Sequence, residues 1–199
     1  MKQSYVDLGP YTPPFMSVFE DALPTMFMQK LIDKFEANEG NHQQVTQGTE
    51  GLARRFTEIN ISQHWQDEHD MFVTCVQEAW KTYMLAQAIQ FDVQFPRQFG
   101  YEHFRMKRYQ PNGTDEFGLH TDVGSYGTAR RFVAFLWYLN TPEGGGATIF
   151  HSFQQRACLL LPAVAGRLLI FPPLWTHPHQ GTKVTSGNKY IVSGYLHYI

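Results

Sequence analysis

The chain has 199 residues, of which 43% are hydrophobic and 17% charged, with a formal net charge of −2. That is the length and composition of one globular domain with a sizeable core, not of a disordered chain. No run of lysine or arginine exceeds a pair, as in Arg54-Arg55 and Arg130-Arg131, which argues against nucleic acid as a principal partner.

Residues 1–15 contain no apolar stretch of signal-peptide length, so a cytoplasmic protein is expected. Pro24 suits an early helical position, and Phe27, Leu31, Ile32 and Phe35 follow at helical spacing until Gly40 ends the segment. Residues 41–60 are polar and read as a loop, with a short strand near Phe56–Ile61. A second helix is predicted from Asp67 to Ala88, with Phe72, Val76, Ala79, Trp80 and Tyr83 as its apolar stripe.

From Arg97 the texture changes to strands. Tyr101–Tyr109 is closed by the turn residues Pro111-Asn112-Gly113. Glu116–His120 is short and extended, and Arg130–Leu139 is a long aromatic strand. After the turn Gly144-Gly145-Gly146 come Ala147–Phe150, Arg156–Leu161, Arg167–Phe171 and Lys189–Tyr198. Short strands with Gly/Pro turns indicate a sandwich or barrel, here α+β with helices packed on one face. The expected organisation is a single domain, 1–199. Residues 1–95 would be mainly helical support and 96–199 most of the β core.

The most apolar stretch, residues 158–175, is broken by Pro162, Gly166, Arg167 and Pro172-Pro173 and reads as two strands, not a membrane span. Cys75 falls in the second helix and Cys158 in a strand. Neither has metal-type spacing to the other, so both are expected to be buried thiols in a reducing compartment.

His120 and Asp122 form the chain's one His-x-Asp/Glu triplet. With nine histidines and 18 acidic residues, roughly one such triplet arises by chance, so its surroundings must carry the argument. Residues i and i+2 of a strand share a face, which would point both side chains into a barrel, and Gly118 and Gly124 on either side permit tight turns. A third ligand must come from elsewhere. His177 and His179 are both candidates, and the segment that follows favours His179, because Lys189 comes ten residues later and opens an aromatic strand. A lone charge aimed inward there needs an anionic partner. By parity Lys189, Ile191, Ser193 and Tyr195 share one face. Two imidazoles and a carboxylate are the ligands of a facial iron(II) site with open positions, and a buried cation suits the far carboxylate of a keto-acid co-substrate. A turn aspartate beside a surface histidine, and an edge lysine facing solvent, are the plain alternatives.

These segments occur in order with Phe135-Leu136-Trp137-Tyr138-Leu139-Asn140, with Gly145-Gly146-Ala147-Thr148-Ile149-Phe150 and with Gly166–Phe171. Over about residues 100–199 the chain resembles the prolyl 4-hydroxylase branch of the iron(II)/2-oxoglutarate dioxygenases. The resemblance implies a double-stranded β-helix, or jelly roll, buttressed by the N-terminal helices. It implies iron ligands at His120, Asp122 and His179. Lys189 and Tyr138 would hold the 2-oxoglutarate C5 carboxylate, Tyr109 would line the co-substrate pocket, and Thr148 would have a structural role. The implied activity consumes 2-oxoglutarate and O2, with ascorbate in support, and hydroxylates an unactivated C–H bond. The substrate implied is a prolyl residue in a peptide or protein, with a free amino acid or other small molecule as the alternative.

Two departures stand out. Lys183 replaces the small residue usual before Val184, and Tyr195 replaces a frequent tryptophan. Both are expected to touch the pocket rim more than the iron. Arg130 and Arg131 read as a solvated strand start or as contacts for a substrate carboxylate or carbonyl. Loops 41–60 and 110–128 are expected to frame the entrance. Two other classes compete. A non-enzymatic metal-binding β-barrel would not need Lys189, and a zinc hydrolase would need a general base of the His-Glu-x-x-His kind, which the chain lacks.

Overall fold

The structure is a computed structural model that describes residues 4–5, 12–88, 91–152 and 157–199. The helices are α1 (Thr25–Glu36), α2 (Ile61–His64), α3 (Gln66–Ala86) and α4 (Phe91–Gln94). The first strands are β1 (Ser4–Tyr5), β2 (Ser17–Glu20), β3 (Gln43–Gln47), β4 (Arg54–Asn60), β5 (Phe99–Tyr101), β6 (Arg105–Tyr109) and β7 (Glu116–His120). They are followed by β8 (Arg131–Tyr138), β9 (Gly144–Gly145), β10 (Thr148–His151) and β11 (Ala157–Leu161). The last are β12 (Leu168–Phe171), β13 (His179–Gly181), β14 (Val184–Ser186) and β15 (Lys189–Tyr198).

The strands pair antiparallel in the order β1-β2-β12-β8-β15-β6-β4-β7-β13-β10-β11, with β3 on β4, β5 on β15, and β14-β9 as a separate ribbon. Along one edge β4 pairs with β3 through residues 54–58. Along the other it pairs with β7 through Arg54 and Arg55 and with β6 through residues 57–60. It therefore joins the two halves of the curled sheet, which forms the jelly roll that the sequence implied.

One face of the sheet packs on the helices. Leu31 and Phe35 of α1 and Phe72, Val76, Ala79, Trp80 and Tyr83 of α3 are buried against Met106, Val133, Phe135, Trp137, Leu168, Ile170 and Val192. Phe72 sits at the centre, with ring centroids 5.1 Å from Trp137 and 5.4 Å from Phe104. Each such ring removed from water contributes on the order of 2–3 kcal/mol. The predicted stripe of α3 is thus the packed one, and Phe27 and Ile32 of α1 lie partly buried at its margin.

The N-terminal half is mainly helical, as expected, but it also contributes strands to the sheet. Residues 41–60 are mostly a β-hairpin, β3–β4, and β2 is built into the sheet beside β12. β3, with the sequence Gln-Gln-Val-Thr-Gln, lacks an alternating apolar pattern because it is an edge strand exposed along most of its length. Cys75 is a buried free thiol, its pKa raised to about 11 by burial and then by Glu78. The backbone of Cys158 lies in β11, and its side chain falls outside the described residues. Among the described residues no helix is long and apolar enough to cross a membrane.

Candidate metal centre

β7 ends at His120 and β13 begins at His179, and the two residues are register partners in the antiparallel pair. Strand pairing therefore brings together imidazoles 59 positions apart in the chain, with ring centroids 4.3 Å from each other. Gly118 makes this possible. A Cβ at Gly118 would collide with the backbone of Gly51 and Leu52, where the Gly118 amide donates to the Ala53 carbonyl and the Leu119 amide to that of Gly51. The glycine is needed for close approach within a strand, not for a turn.

Asp122 lies two residues past β7. Its Oδ1 is 3.4 Å from His120 Nε2 and its Oδ2 is 3.7 Å from His179 Nε2. One donor atom from each of the three residues falls within 4.8 Å of the others. His120 Nδ1 meets the Gly118 carbonyl at 2.7 Å, and His179 Nδ1 meets the His177 carbonyl at 2.9 Å. A carbonyl only accepts, so each Nδ1 carries the proton and each Nε2 offers a lone pair to the centre. His120 Nε2 is buried with no hydrogen-bond partner. Phe117 stacks on His120 at 3.7 Å, and Phe150 and Phe171 flank His179 at 5.2 and 5.0 Å.

Electrostatics favour the same state. Burial, and next the neighbouring His120, push the His179 pKa down to about 4, leaving a neutral imidazole at physiological pH. Burial alone would raise the Asp122 pKa, but His179, His120 and the Tyr195 hydroxyl outweigh it and hold the carboxyl ionised. Neutral imidazoles and a carboxylate are the protonation states that a divalent metal requires.

His177 is equally buried but has no free nitrogen. Its Nε2 meets the Pro14 carbonyl at 2.7 Å and its Nδ1 meets the Thr176 hydroxyl at 2.8 Å, while its own carbonyl orients His179.

Lys189 opens β15 on the inner face, 4% exposed, with Nζ 5.4 Å from the Tyr109 ring centre and 5.5 Å from that of Tyr138. Among the described residues no carboxylate pairs with it, and burial lowers its pKa to about 7. Tyr138 donates its hydroxyl to Thr148 Oγ1 at 2.7 Å, which leaves the Thr148 hydroxyl proton free for an acceptor in the cavity. Tyr109, Thr148, Lys189, Ile191, His120 and His179 line one inner cavity. Outside it lies a groove of about 720 Å³, bordered by the β3–β4 hairpin and by residues 117–131. Both segments expected to frame the entrance do so, the first as a hairpin.

Residues 104–197 match the family model of the 2OG-Fe(II) oxygenase superfamily. That match takes in just under half of the chain. The chain is 30% identical over 82 residues to a PKHD-type hydroxylase of Prochlorococcus marinus (strain MIT 9313), a match covering 40% of this chain and 35% of that relative. The matched segment thus spans about a third of the curated relative. Among solved structures it resembles a viral collagen prolyl hydroxylase from Paramecium bursaria Chlorella virus-1, in a 2OG complex (16% identity, 96% of this chain, 100% of that one, TM-score 0.65). It also resembles a Pseudomonas putida prolyl-4-hydroxylase (18% identity, 92% of each chain, TM-score 0.68). A third is the Trichoplax adhaerens prolyl hydroxylase in complex with a hypoxia inducible factor peptide (14%, 92% and 83%, TM-score 0.67). At these identities the likeness is one of fold.

The superfamily's iron and 2-oxoglutarate suit the donor set: a partnerless buried Nε2, a second Nε2 aimed at the same point, an ionised carboxylate, and a buried ammonium deeper in the same cavity. Three sequence expectations change in this setting. Tyr195 lines both the outer groove and the inner cavity, but it also reaches the triad, because its hydroxyl donates to Asp122 Oδ1 at 2.9 Å. Arg131 is not a solvated strand start. It forms a bidentate pair with Glu102 at 2.8 and 2.7 Å, donates to the Asp122 carbonyl at 2.9 Å, and lies 4.0 Å over the Tyr195 ring. Thr148, expected to be structural, lines the cavity, whereas Tyr138, expected to hold the co-substrate carboxylate, is buried behind it and donates its hydroxyl to Thr148. No sequence signal links Arg131 to Glu102, which are 29 positions apart. The role of Tyr195, in contrast, was available from strand parity with Lys189.

Proposed function

We propose that the chain is an Fe(II)- and 2-oxoglutarate-dependent dioxygenase that hydroxylates an unactivated C–H bond, with a prolyl residue in a peptide as the leading substrate. The observation that carries it is the placement, in one cavity, of His120, Asp122 and His179 with the buried ammonium of Lys189, which has no carboxylate partner among the described residues. When bound, iron(II) supplies the redox chemistry. O2 and 2-oxoglutarate give succinate and CO2, one oxygen atom entering succinate and the other inserted into the substrate C–H bond.

The chain's own residues provide geometry and charge. His120, Asp122 and His179 would hold the metal, each fixed by a backbone carbonyl or by Tyr195. Lys189 and the Thr148 hydroxyl would bind the C5 carboxylate by charge-assisted and neutral hydrogen bonds, with Tyr138 holding Thr148 in place. Tyr109 and the rings around the histidines exclude water, which strengthens these interactions and limits side reactions. Ascorbate is proposed as a supporting reductant. The cytoplasm is the proposed setting, in keeping with the free thiol of Cys75.

The prolyl reading rests on likeness to prolyl hydroxylases. A free amino acid is the second reading, favoured by the cationic groups at the mouth of the cavity. Succinate formation with iron(II), 2-oxoglutarate and ascorbate, screened over proline-containing peptides and free amino acids, tests both. The expected result is turnover that Asp122→Ala reduces to background. Iron-independent turnover, or full activity in Asp122→Ala, would refute the proposal.

A further inference from the structure

Lys107 is a second buried cation in this barrel. It lies on β6 two residues before Tyr109 and so on the same inner face, and is 8% exposed. Its register partner is Ile191, two residues beyond Lys189 on the facing strand. The two lysines thus stand one step apart along the barrel, Lys189 in the inner cavity and Lys107 nearer the mouth. Lys107 lines both the inner cavity and the outer groove, whereas Lys189 lines the inner cavity alone. The Lys107 ammonium is wedged between two rings, 5.2 Å from the centre of Phe56 and 5.4 Å from that of Phe117. Phe117 in turn stacks on His120, so the ammonium is one ring away from the metal triad.

Among the described residues Lys107 has no hydrogen-bond or ion-pair partner. The nearby carboxylates are otherwise engaged: Glu58 accepts from Arg105 at 2.9 Å, Glu102 holds Arg131, and Asp122 belongs to the triad. Arg54 lies 5.0 Å from the centre of the Phe117 ring, and Arg130 borders the same groove, both without a carboxylate partner among the described residues. The loaded centre would not neutralise this charge. Iron(II) and Lys189 are balanced by Asp122 and the two carboxylates of 2-oxoglutarate. A buried ammonium without a counter-ion is costly unless a ligand supplies one.

On the oxygenase reading above, we propose that Lys107 is a specificity-determining anion site, and that the substrate carries a carboxylate bound by Lys107 while the C–H bond to be oxidised lies over the triad. The carboxylate comes either from an acidic residue or C-terminus of a peptide, or from the α-carboxylate of a free amino acid.

The test uses full-length protein loaded with redox-inert zinc(II) and 2-oxoglutarate, and isothermal titration with matched ligands. One arm contains N-acetylated proline tripeptide amides with Glu or Gln beside the proline. The other contains free L-proline, L-leucine and L-glutamine against their amides. The acidic member of at least one pair should bind on the order of tenfold or more tighter than its neutral match. The arm in which this occurs identifies the carboxylate's source. The preference should fall to within about twofold in Lys107→Met, persist in Lys107→Arg, and reverse toward cationic ligands in Lys107→Glu. Lys107→Arg keeps the charge, so loss of folding in one variant leaves the others decisive. The proposal is overturned if acidic and neutral members bind alike in the wild type. It is also overturned if Lys107→Met keeps the acid preference while weakening 2-oxoglutarate as much as Lys189→Ala does. Absence of iron-dependent succinate formation would strike the oxygenase reading, and the titration would still decide the role of Lys107.

Discussion

The two faces of the same sheet follow opposite chemical rules, and β15 carries both. Tyr190, Val192 and Leu196 point to the helices, where they are buried with Phe72, Trp80 and Trp137 in an apolar core. Lys189, Ile191, Ser193 and Tyr195 point the other way, into a cavity that also contains His120, Asp122, His179 and Lys107. On the first face, burial stabilises the fold. On the second, charged groups are held away from water, which works against the fold and is useful only to a ligand. The helix side therefore sustains the cost of the site side.

The first way to sharpen this contrast is to damage the helix side alone. Trp137 is fully buried against Phe72, Phe104 and Phe135. Trp137→Ala should lower unfolding free energy by about 3–5 kcal/mol, measured by urea denaturation. In the fraction that stays folded, the 2-oxoglutarate dependence should be unchanged. A shifted dependence would mean that the two faces are coupled.

Lys189 gives the converse case. Lys189→Ala should raise the 2-oxoglutarate concentration for half-maximal succinate formation on the order of a hundredfold, with little change in the iron requirement. Lys189→Arg should retain part of the affinity. Lys189→Met should stabilise the metal-free protein near pH 7 by up to about 4 kcal/mol, since it removes a buried ammonium whose pKa is lowered to about 7 from 10.5. A variant less stable than the wild type would mean that Lys189 has a partner in the fold.

The third prediction concerns acid. His179 is lowered to about 4 from 6.5, so the unfolded chain takes up its proton before the folded one. Its contribution is present above pH 6.5 and is lost as pH falls toward 4. This costs the metal-free protein about 3 kcal/mol, followed by denaturation across that window. His179→Gln should flatten the slope, and an unchanged slope would place the acid-labile group elsewhere.

The smallest effect is expected at Tyr195. Tyr195→Phe removes the hydroxyl held by Asp122 and should weaken iron(II) binding by about 10- to 100-fold, read by metal titration, with the fold intact. Affinity equal to the wild type would reduce Tyr195 to a wall of the cavity.

The helix side was legible in the sequence because its signal is apolar patterning. The α3 stripe and the continuous apolar runs of β8 and β12 are patterns that a short window reveals. Much of the site was also legible, because His120-Thr121-Asp122 and the spacing of His179 from Lys189 are local. What escaped notice depends on contacts between distant segments. β3 is exposed on both faces and leaves no apolar period. β13 is three residues long and defined by its pairing with β7 and β10. Arg131 reads as a solvated charge until Glu102 and the Asp122 carbonyl are placed beside it. Lys107 could have been found by parity from Tyr109, but a lysine inside a barrel is distinguishable from one on an edge only once the sheet is closed.

The central claim is that this cavity holds iron through His120, Asp122 and His179 and 2-oxoglutarate through Lys189. Absorption spectroscopy under strict exclusion of oxygen addresses it without a substrate. Addition of 2-oxoglutarate to iron(II)-loaded protein should produce a weak visible charge-transfer band, because a keto acid chelating iron(II) absorbs there. The band should be absent in His179→Ala and should require far more 2-oxoglutarate in Lys189→Ala. Fully iron-loaded wild-type protein that gives no band at saturating 2-oxoglutarate, or the same band in His179→Ala, would contradict the account.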